Sequence, residues 1–587
     1  MPEEQSKRGF AGTAGQETPV VISLRDFGAE PDTAADAQPA MRLALEAAER
    51  ANGPVVIDIP RGRYHFYPES AIRAPYYVTN TASEEETPDV TKTIGLLLKG
   101  QRRLTLRGNG SLFLFHGKQT MLLLDGCEEI AIWGLHFDYA APTVTEMTIE
   151  CCDAAEGVIE SAVHPDSRYE IREGRLEWVG EGWRFRGGPM QLCDPARNTT
   201  WRVDDWLERA ERVEELGPGR LRFYLGGGML PEGLAPGLVV QMRDGIRDQV
   251  GVLMYESSDI AFTEVGMHFM HGLGMVGQFS ENLTFERMDL SPRSETGRTV
   301  AGFADFIHLS GCRGRVSIRD CQFAGAHDDA INVHGTYLRV VDRPAPDQLT
   351  VRFMHPQTYG FMAFRTGDEV GFVNADALTT YAGGRVSAVR RLGPRELLLT
   401  LEQPAPERIG ERDVLENVTW TPEVEIVGNR FARIPTRGIL ASSRRRTAIR
   451  GNVFERMRMS AVLVAADANS WYESGAVTDL VVADNRFIAC GGEEHAVIRI
   501  APENREGVTE MPVHRGVVIE RNRFELGPAG DVALSARSTE GLVFRDNEIV
   551  PIGGSGAAPV DPNRAIQLEV CGDAVISGNF FGTHKLN

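Results

Sequence analysis

The sequence has no apolar run approaching the ~20 residues needed to cross a bilayer, so no helical membrane span is read in it. It has no CxxC pair either. Its eight cysteines, at 127, 151, 152, 193, 312, 321, 490 and 571, are scattered and give a zinc ribbon no ligand set. Adjacent Cys151 and Cys152 are badly placed to bridge each other, and small buried side chains in a reduced protein are expected. Basic residues are outnumbered, 62 against 82 acidic, and the net charge of −20 argues against nucleic acid as a partner. The opening MPEEQSKRGFAGTAGQETP lacks the apolar segment of a signal peptide and reads as a disordered lead over residues 1–18. As given, the chain reads as cytoplasmic; a secreted or periplasmic protein with its leader trimmed would read the same.

What the sequence does have is repetition. After Trp420, short strands recur that each end in a polar residue and an aromatic or aliphatic one: EIVGNRF, AIRGNVF, VVADNRF, VIERNRF, VFRDNEI and VISGNFF. Their asparagines, Asn429, Asn452, Asn485, Asn522, Asn547 and Asn579, are 23, 33, 37, 25 and 32 residues apart. A constant strand with a variable loop, at a period above twenty, is the mark of a parallel β-solenoid. Asparagine tolerates left-handed backbone and bonds its own turn, so it suits stacked turns. A β-sandwich would have to produce six near-identical repeats by coincidence. Earlier strands, at Leu104, Ile130, Ile260, Leu283 and Val316, follow the same pattern less regularly. At the start, VISLRDFGAEPD, a helix around Met41, Leu45 and Ala48 with Pro39 in its first turn, and PVVIDIPRGRY look like the beginning of a right-handed parallel β-helix. That helix would cap the open end of the coil.

Two intervals break the rhythm. RLEWVGEGWRF and RLRFYLGG in the first, and GDEVGFV and ELLLTLEQP in the second, alternate like antiparallel strands. The expected organisation is an all-β right-handed parallel β-helix over 19–142, 248–335 and 421–587, with small β-barrel-like modules inserted at 143–247 and 336–420. Both modules are expected to wall a pocket beside the acids described next. A long solenoid with protruding modules also offers surface for a homo-oligomer.

ADFIHLSG at Ala304–Gly311 and AHDDAINVHG at Ala326–Gly335 align without a gap at a spacing of 24. Ile307 falls on Ile331, His308 on Asn332 and Leu309 on Val333. Equivalent positions in successive coils lie about 4.8 Å apart, so Asp305 and Asp329 stack with Asp328 beside them. Strict alternation would bury both stacked acids unless they sit in the turns before their strands, where Gly302 and Gly325 permit irregular backbone. Three close carboxylates repel, which raises at least one pKa and puts a proton donor beside two bases. Glycoside hydrolysis needs that combination. Asp328 is assigned as the acid, with Asp305 and Asp329 holding water, and the Asp305–Asp328 diagonal is expected to approach the roughly 6.5–9.5 Å of an inverting pair. An aspartate turn ladder or a calcium site would use the same residues.

Around the acids, five residues are candidates to bind the sugar. His308 should face outward beside them, and Asn332 occupies the same place one coil on; Arg437 lies on the coil after that, and Trp471 and Glu473 lie in the loop ANSWYESG. A surface histidine, an ion pair and a packed loop tryptophan are the plainer alternatives. His327 and His334 flank the cluster as orienting or turn residues. Asp138, Tyr139 and Glu146 read as packing at the root of the first insertion, and MHFMH at 267–271 reads as core and turn because no third metal ligand supports it. No cofactor or metal is expected.

ADFIHL followed by HDDAINV resembles the polygalacturonase pattern of NTDG followed one coil later by DDC. The next coil departs from it: TRGILAS at Thr436–Ser442 has Arg437 where those enzymes carry histidine, and SAVLVAA at Ser460–Ala466 lacks their Arg-Ile-Lys. Without that cation pair an acidic pectin sugar loses its charge-assisted hydrogen bonds. The chain is more similar to glycoside hydrolase family 110, the bacterial α-1,3-galactosidases, through VISLRDFGA, DYAAPTVTE at Asp138–Glu146, HDDAINVHGTY and the two insertions. That resemblance implies a parallel β-helix with β-barrel inserts, galactose-terminated glycans as partners, and inverting, exo-acting removal of α-1,3-linked galactose by Asp305, Asp328 and Asp329. A pectin hydrolase and a non-catalytic carbohydrate-binding β-helix are the competing readings.

Overall fold

The computed structural model describes residues 17–582 except 227–229, 493, 506–510, 528–529, 531 and 554–558; most of the expected disordered lead thus lies outside the described residues. The chain is a parallel β-helix. Strands such as Leu104, Ile130, Ile260, Leu283 and Val316 pair side by side in one long sheet, each in register with the previous coil. The helix Gln38–Arg50 packs on Val20–Ser23, Val55–Asp58 and Thr91–Lys99 at the start, burying Met41, Ala44, Leu45 and Ala48.

The asparagines, buried except for the half-buried Asn579, form a continuous ladder. Each Oδ1 accepts from the backbone N and the side-chain Nδ2 of the asparagine one coil earlier, at 2.9–3.0 Å, from Asn579 back to Asn429. Their role differs from the one expected. The left-handed residue is the one before each asparagine, Gly428, Gly451, Asp484, Arg521, Asp546 and Gly578, with φ between 53° and 72°. The asparagines bond chiefly between turns, and Asn522 also donates to the carbonyl of Glu520 within its own. Beside this ladder Phe323, Phe431, Phe454, Phe487 and Phe524 stack with ring centroids 4.6–5.0 Å apart. Asn485→Ala would strip bonds from Asn452, Asn522 and the carbonyl of Ile449 at once. At roughly 1–3 kcal/mol for each buried group left unpaired, and with partial relaxation, it should cost about 2–3 kcal/mol in a denaturant titration.

The insertions are antiparallel. Residues 145–242 include a seven-stranded sheet and a three-stranded one, with a core of their own around Trp178, Trp206 and Phe223. The second module leaves the coil in mid-strand. Ile331–Ala345 pairs in parallel with Ile307–Ser310 at one end and antiparallel with Gln348–Arg352 at the other. All eight cysteines are free, but the expectation of burial fails for Cys151, which is exposed, and for Cys152 and Cys571, which are half-buried.

Candidate active site

Ile307–Ser310 and Ile331–Ala345 are adjacent in the register read from sequence, Ile307 on Ile331 and His308 on Asn332. Ile331 pairs in turn with Ile439, so Asp305, Asp329 and Arg437 form one column across three coils. Asp305 and Asp329 lie just before their strands, in irregular backbone. Gly325, at φ 87°, is needed there: a Cβ would meet the carbonyl oxygen of Thr299 at 2.5 Å. All eight site candidates line one cleft: Asp305, His308, Asp328, Asp329, Asn332, Arg437, Trp471 and Glu473.

Carboxylate oxygens of Asp305, Asp328 and Asp329 lie within 4.8 Å of one another. Each acid has a different neighbour. Asp305 Oδ2 is 2.8 Å from His308 Nδ1. Asp329 Oδ1 accepts from Arg437 Nε at 2.8 Å and from its backbone N. Asp328 Oδ1 is 3.0 Å from Arg202, and its side chain is 22% exposed against 6% for Asp305 and 3% for Asp329.

These neighbours decide where charge resides. Burial, with the charge of Asp328 adding, pushes Asp305 up to about 7 against the pull of Arg247 and Arg437. Burial likewise pushes Asp329 up to about 7 although Arg437 opposes it. Burial would raise Asp328 too, but Arg202, Arg437, Arg247 and Arg243 outweigh it and hold the carboxyl below its ordinary range. The arginines thus favour the ionised form of Asp328, the residue expected to be the acid. Between the other two, hydrogen bonds discriminate. Asp329 has a guanidinium donor, which favours its ionised form, and Asp305 has none.

His308 and Asn332 sit on the cleft side as expected, but His308 is buried and engaged with Asp305 and with His334, so it is no surface histidine. Glu473 is brought in by the antiparallel bridge of Glu473–Ser474 to Gly335–Thr336. It accepts from Asn80 at 2.7 Å, and His334, His308, Asn80 and Arg437 together overcome burial to keep it ionised. Trp471 is 40% exposed and stacks on His355, with ring centroids 4.2 Å apart. His308, His334 and Glu473 also bring ligand-type atoms within 4.8 Å, but the Nε2 atoms of the two rings face each other at 2.9 Å and are already engaged.

Sequence reasoning missed Asn80, Arg202, Arg247 and Asp467. Asn80 sits 393 positions from the glutamate it holds, beyond the reach of any local pattern. Asp467 caps the tryptophan loop, accepting from the backbone N of Asn469, Ser470 and Tyr472. Its place before Asn469-Ser470 was a readable turn signal. The expectation that both modules wall the pocket needs correcting. The first supplies Arg247 to the lining and Arg202 to Asp328. None of residues 336–420 lines the cleft. The second module acts one layer back, through His355 on Trp471, Gln357 on Arg247 and Thr358 on Asn80.

A solenoid carrying three converging carboxylates in a cleft braced by two inserted β modules has the layout of a carbohydrate-cleaving β-helix enzyme. Two family models match the insertions, GLAA-B β-barrel domain I over residues 145–239 and GLAA-B β-barrel domain II over residues 348–415. The chain is 39% identical over 577 residues to alpha-1,3-galactosidase A of Bacteroides fragilis, covering 97% of this chain and 94% of that one. It is 40% identical to the alpha-1,3-galactosidase A of Bacteroides thetaiotaomicron (93% and 94% covered) and 32% identical to alpha-1,3-galactosidase B of the same organism (95% and 90%). The chain belongs to the bacterial α-1,3-galactosidase family, glycoside hydrolase family 110.

Proposed function

We propose that the protein is an exo-acting glycoside hydrolase that removes terminal α-1,3-linked galactose with inversion, using Asp305, Asp328 and Asp329. The observation that carries this is the convergence of three carboxylates, their oxygens within 4.8 Å of one another, on one small cleft. Asp305 donates its proton to the departing glycosidic oxygen, while Asp328 and Asp329 hold and deprotonate the attacking water. The attacking water is held by Asp328 and Asp329 on the face of the sugar opposite the departing oxygen. His308, Asn332, Arg437, Trp471 and Glu473 bind the sugar, Trp471 offering a face for stacking and the others hydrogen bonds.

A cavity of about 120 Å³ is small beside the roughly 300–1,000 Å³ of drug-sized sites, which suits one terminal sugar ring. A neutral sugar is favoured over galacturonate because the coil Ser460–Ala466 presents Leu463, Ala465 and Ala466 to the cleft. Of the cations nearby, Arg437 and Arg202 already face carboxylates and Arg247 is held by Gln357. Incubation with Gal-α-1,3-Gal should release galactose, with β-galactose the first anomer seen by NMR. No release from any α-1,3-galactoside would overturn the activity, and α-galactose first would overturn inversion alone.

A further inference from the structure

Glu473 has one anchored oxygen and one nearly free one. Its Oε1 accepts from Asn80 Nδ2 at 2.7 Å and lies 3.5 Å from His334 Nε2, whereas Oε2 has only Asn332 Nδ2, at 3.5 Å. A contact of that length is at the edge of a hydrogen bond, so Oε2 is the oxygen with capacity left for a substrate hydroxyl. The bridge to Gly335–Thr336 fixes the backbone of Glu473 but leaves the terminal torsion of its side chain soft. The bond from Asn80 therefore decides which oxygen faces the cleft.

Asn80 is aimed in turn. It is buried, in left-handed backbone at φ 53°. Its Oδ1 accepts from Thr79 Oγ1 at 3.0 Å and from Thr358 Oγ1 at 2.6 Å, so only Nδ2 is left to face the glutamate. Thr358 Oγ1 also accepts from the backbone N of Asn80 at 3.2 Å, and one hydroxyl thus holds both the main chain and the amide. Thr358 is buried, and its hydrogen bonds run to Asn80 and His355, none to the three acids. Gln278 grips the same segment from the coil, accepting from Thr79 N at 2.8 Å and donating to the carbonyl of Tyr77 at 3.0 Å. The course of the chain there does not depend on the hydroxyl alone.

We infer that Thr358, acting through Asn80, is a positioning residue that turns one chosen oxygen of Glu473 toward the substrate. The second module, which lines none of the cleft, thereby takes part in selecting the terminal sugar. The inference rests on the proposed binding role of Glu473 and is indifferent to how the three acids share their work. Thr358→Val keeps the branched shape and removes both bonds, so the Asn80 amide loses its direction and Glu473 its anchor.

The test uses p-nitrophenyl α-galactosides that each lack a different hydroxyl, read as kcat/KM against the parent compound. On wild-type protein one analogue, missing the hydroxyl that Glu473 accepts from, should carry a penalty of about 10–100-fold. Glu473→Gln identifies that analogue, because a neutral acceptor weakens its penalty. Thr358→Val should lose about 10-fold on the parent and little on that analogue, while the remaining ratios stay as in wild type. Thr358→Ser retains the hydroxyl and should restore the penalty. An equal loss on every analogue, or an undiminished penalty in Thr358→Val, overturns the inference. If the valine variant does not fold, Asn80→Gly takes its place with the same expectation, since glycine suits left-handed backbone and lacks the amide. A wild-type protein that cleaves no α-galactoside overturns the proposed function. The same comparison is then made on binding of galactose and its deoxy forms by ligand-observed NMR. There, absent binding or a penalty that does not respond to Thr358→Val overturns the inference as well.

Discussion

Asp305→Asn is expected to lose about 10²–10⁴-fold in kcat/KM on Gal-α-1,3-Gal and far less on p-nitrophenyl α-galactoside, whereas Asp328→Asn should lose on both. The reason is the leaving group. A sugar alkoxide cannot depart unprotonated, so loss of the donor falls fully on the disaccharide. Nitrophenolate leaves without a proton, so a missing donor matters little. A missing base impairs attack by water on either substrate. Asparagine nearly preserves the volume of aspartate and can donate to His308 Nδ1, 2.8 Å from the residue it replaces, so the site should keep its shape. If Asp328→Asn is instead the variant spared on the aryl substrate, Asp328 is the donor. The proton must then reach it after substrate displaces Arg202, whose side chain is 53% exposed.

Arg437→Met should destabilise the protein more at pH 8 than at pH 5.5, by about 1.4 kcal/mol for the one pH unit by which pH 8 exceeds the folded pKa of Asp329. Arg437 gives Asp329 its Nε and its backbone N, and only the latter survives. The loss should shrink as pH falls, and the sign follows from proton counting. Asp329 is already raised to about 7 in the folded protein, and losing the guanidinium raises it further. An unfolded aspartate titrates near 3.9, so across the interval the folded state holds more protons and its stability falls as pH rises. Below the folded pKa the carboxyl is neutral and tolerates burial. Thermal melts of both proteins at pH 5.5 and pH 8 check this; an equal deficit at the two values would show that Arg437 matters through packing alone.

The sequence made the solenoid legible because its signals are local and repeated. A strand of five or six residues closed by one polar residue states its own coil, and the gap-free alignment of Asp305 with Asp329 stated the register. The column of acids followed from that register. What stayed hidden was whatever arrives from elsewhere in the chain. Arg202 reaches Asp328 from an inserted hairpin and Asn80 reaches Glu473 from the first coils, and no spacing announces either meeting. The charge surrounding each acid has the same origin. Two carboxylates on adjacent residues look alike until the cations around each are known, and most of those around Asp328 come from the first insertion. The asparagines were recognised but misread, because a left-handed turn and a bond between turns leave the same mark in sequence.

The column Asp305–Asp329–Arg437 takes one residue from each of three consecutive coils. Solenoids change length over evolution by gaining or losing whole repeats, since each coil touches only its neighbours. Here that freedom is divided. A coil duplicated between Ile331 and Ile439 would fold as well as its parents, yet it would part Arg437 from Asp329 by another ~4.8 Å and dismantle the site. Among the described residues the coils from Leu534 onward supply nothing to the cleft and can multiply or disappear. Descendants of this chain are free to vary at one end of the spiral and are held to a fixed count in its middle.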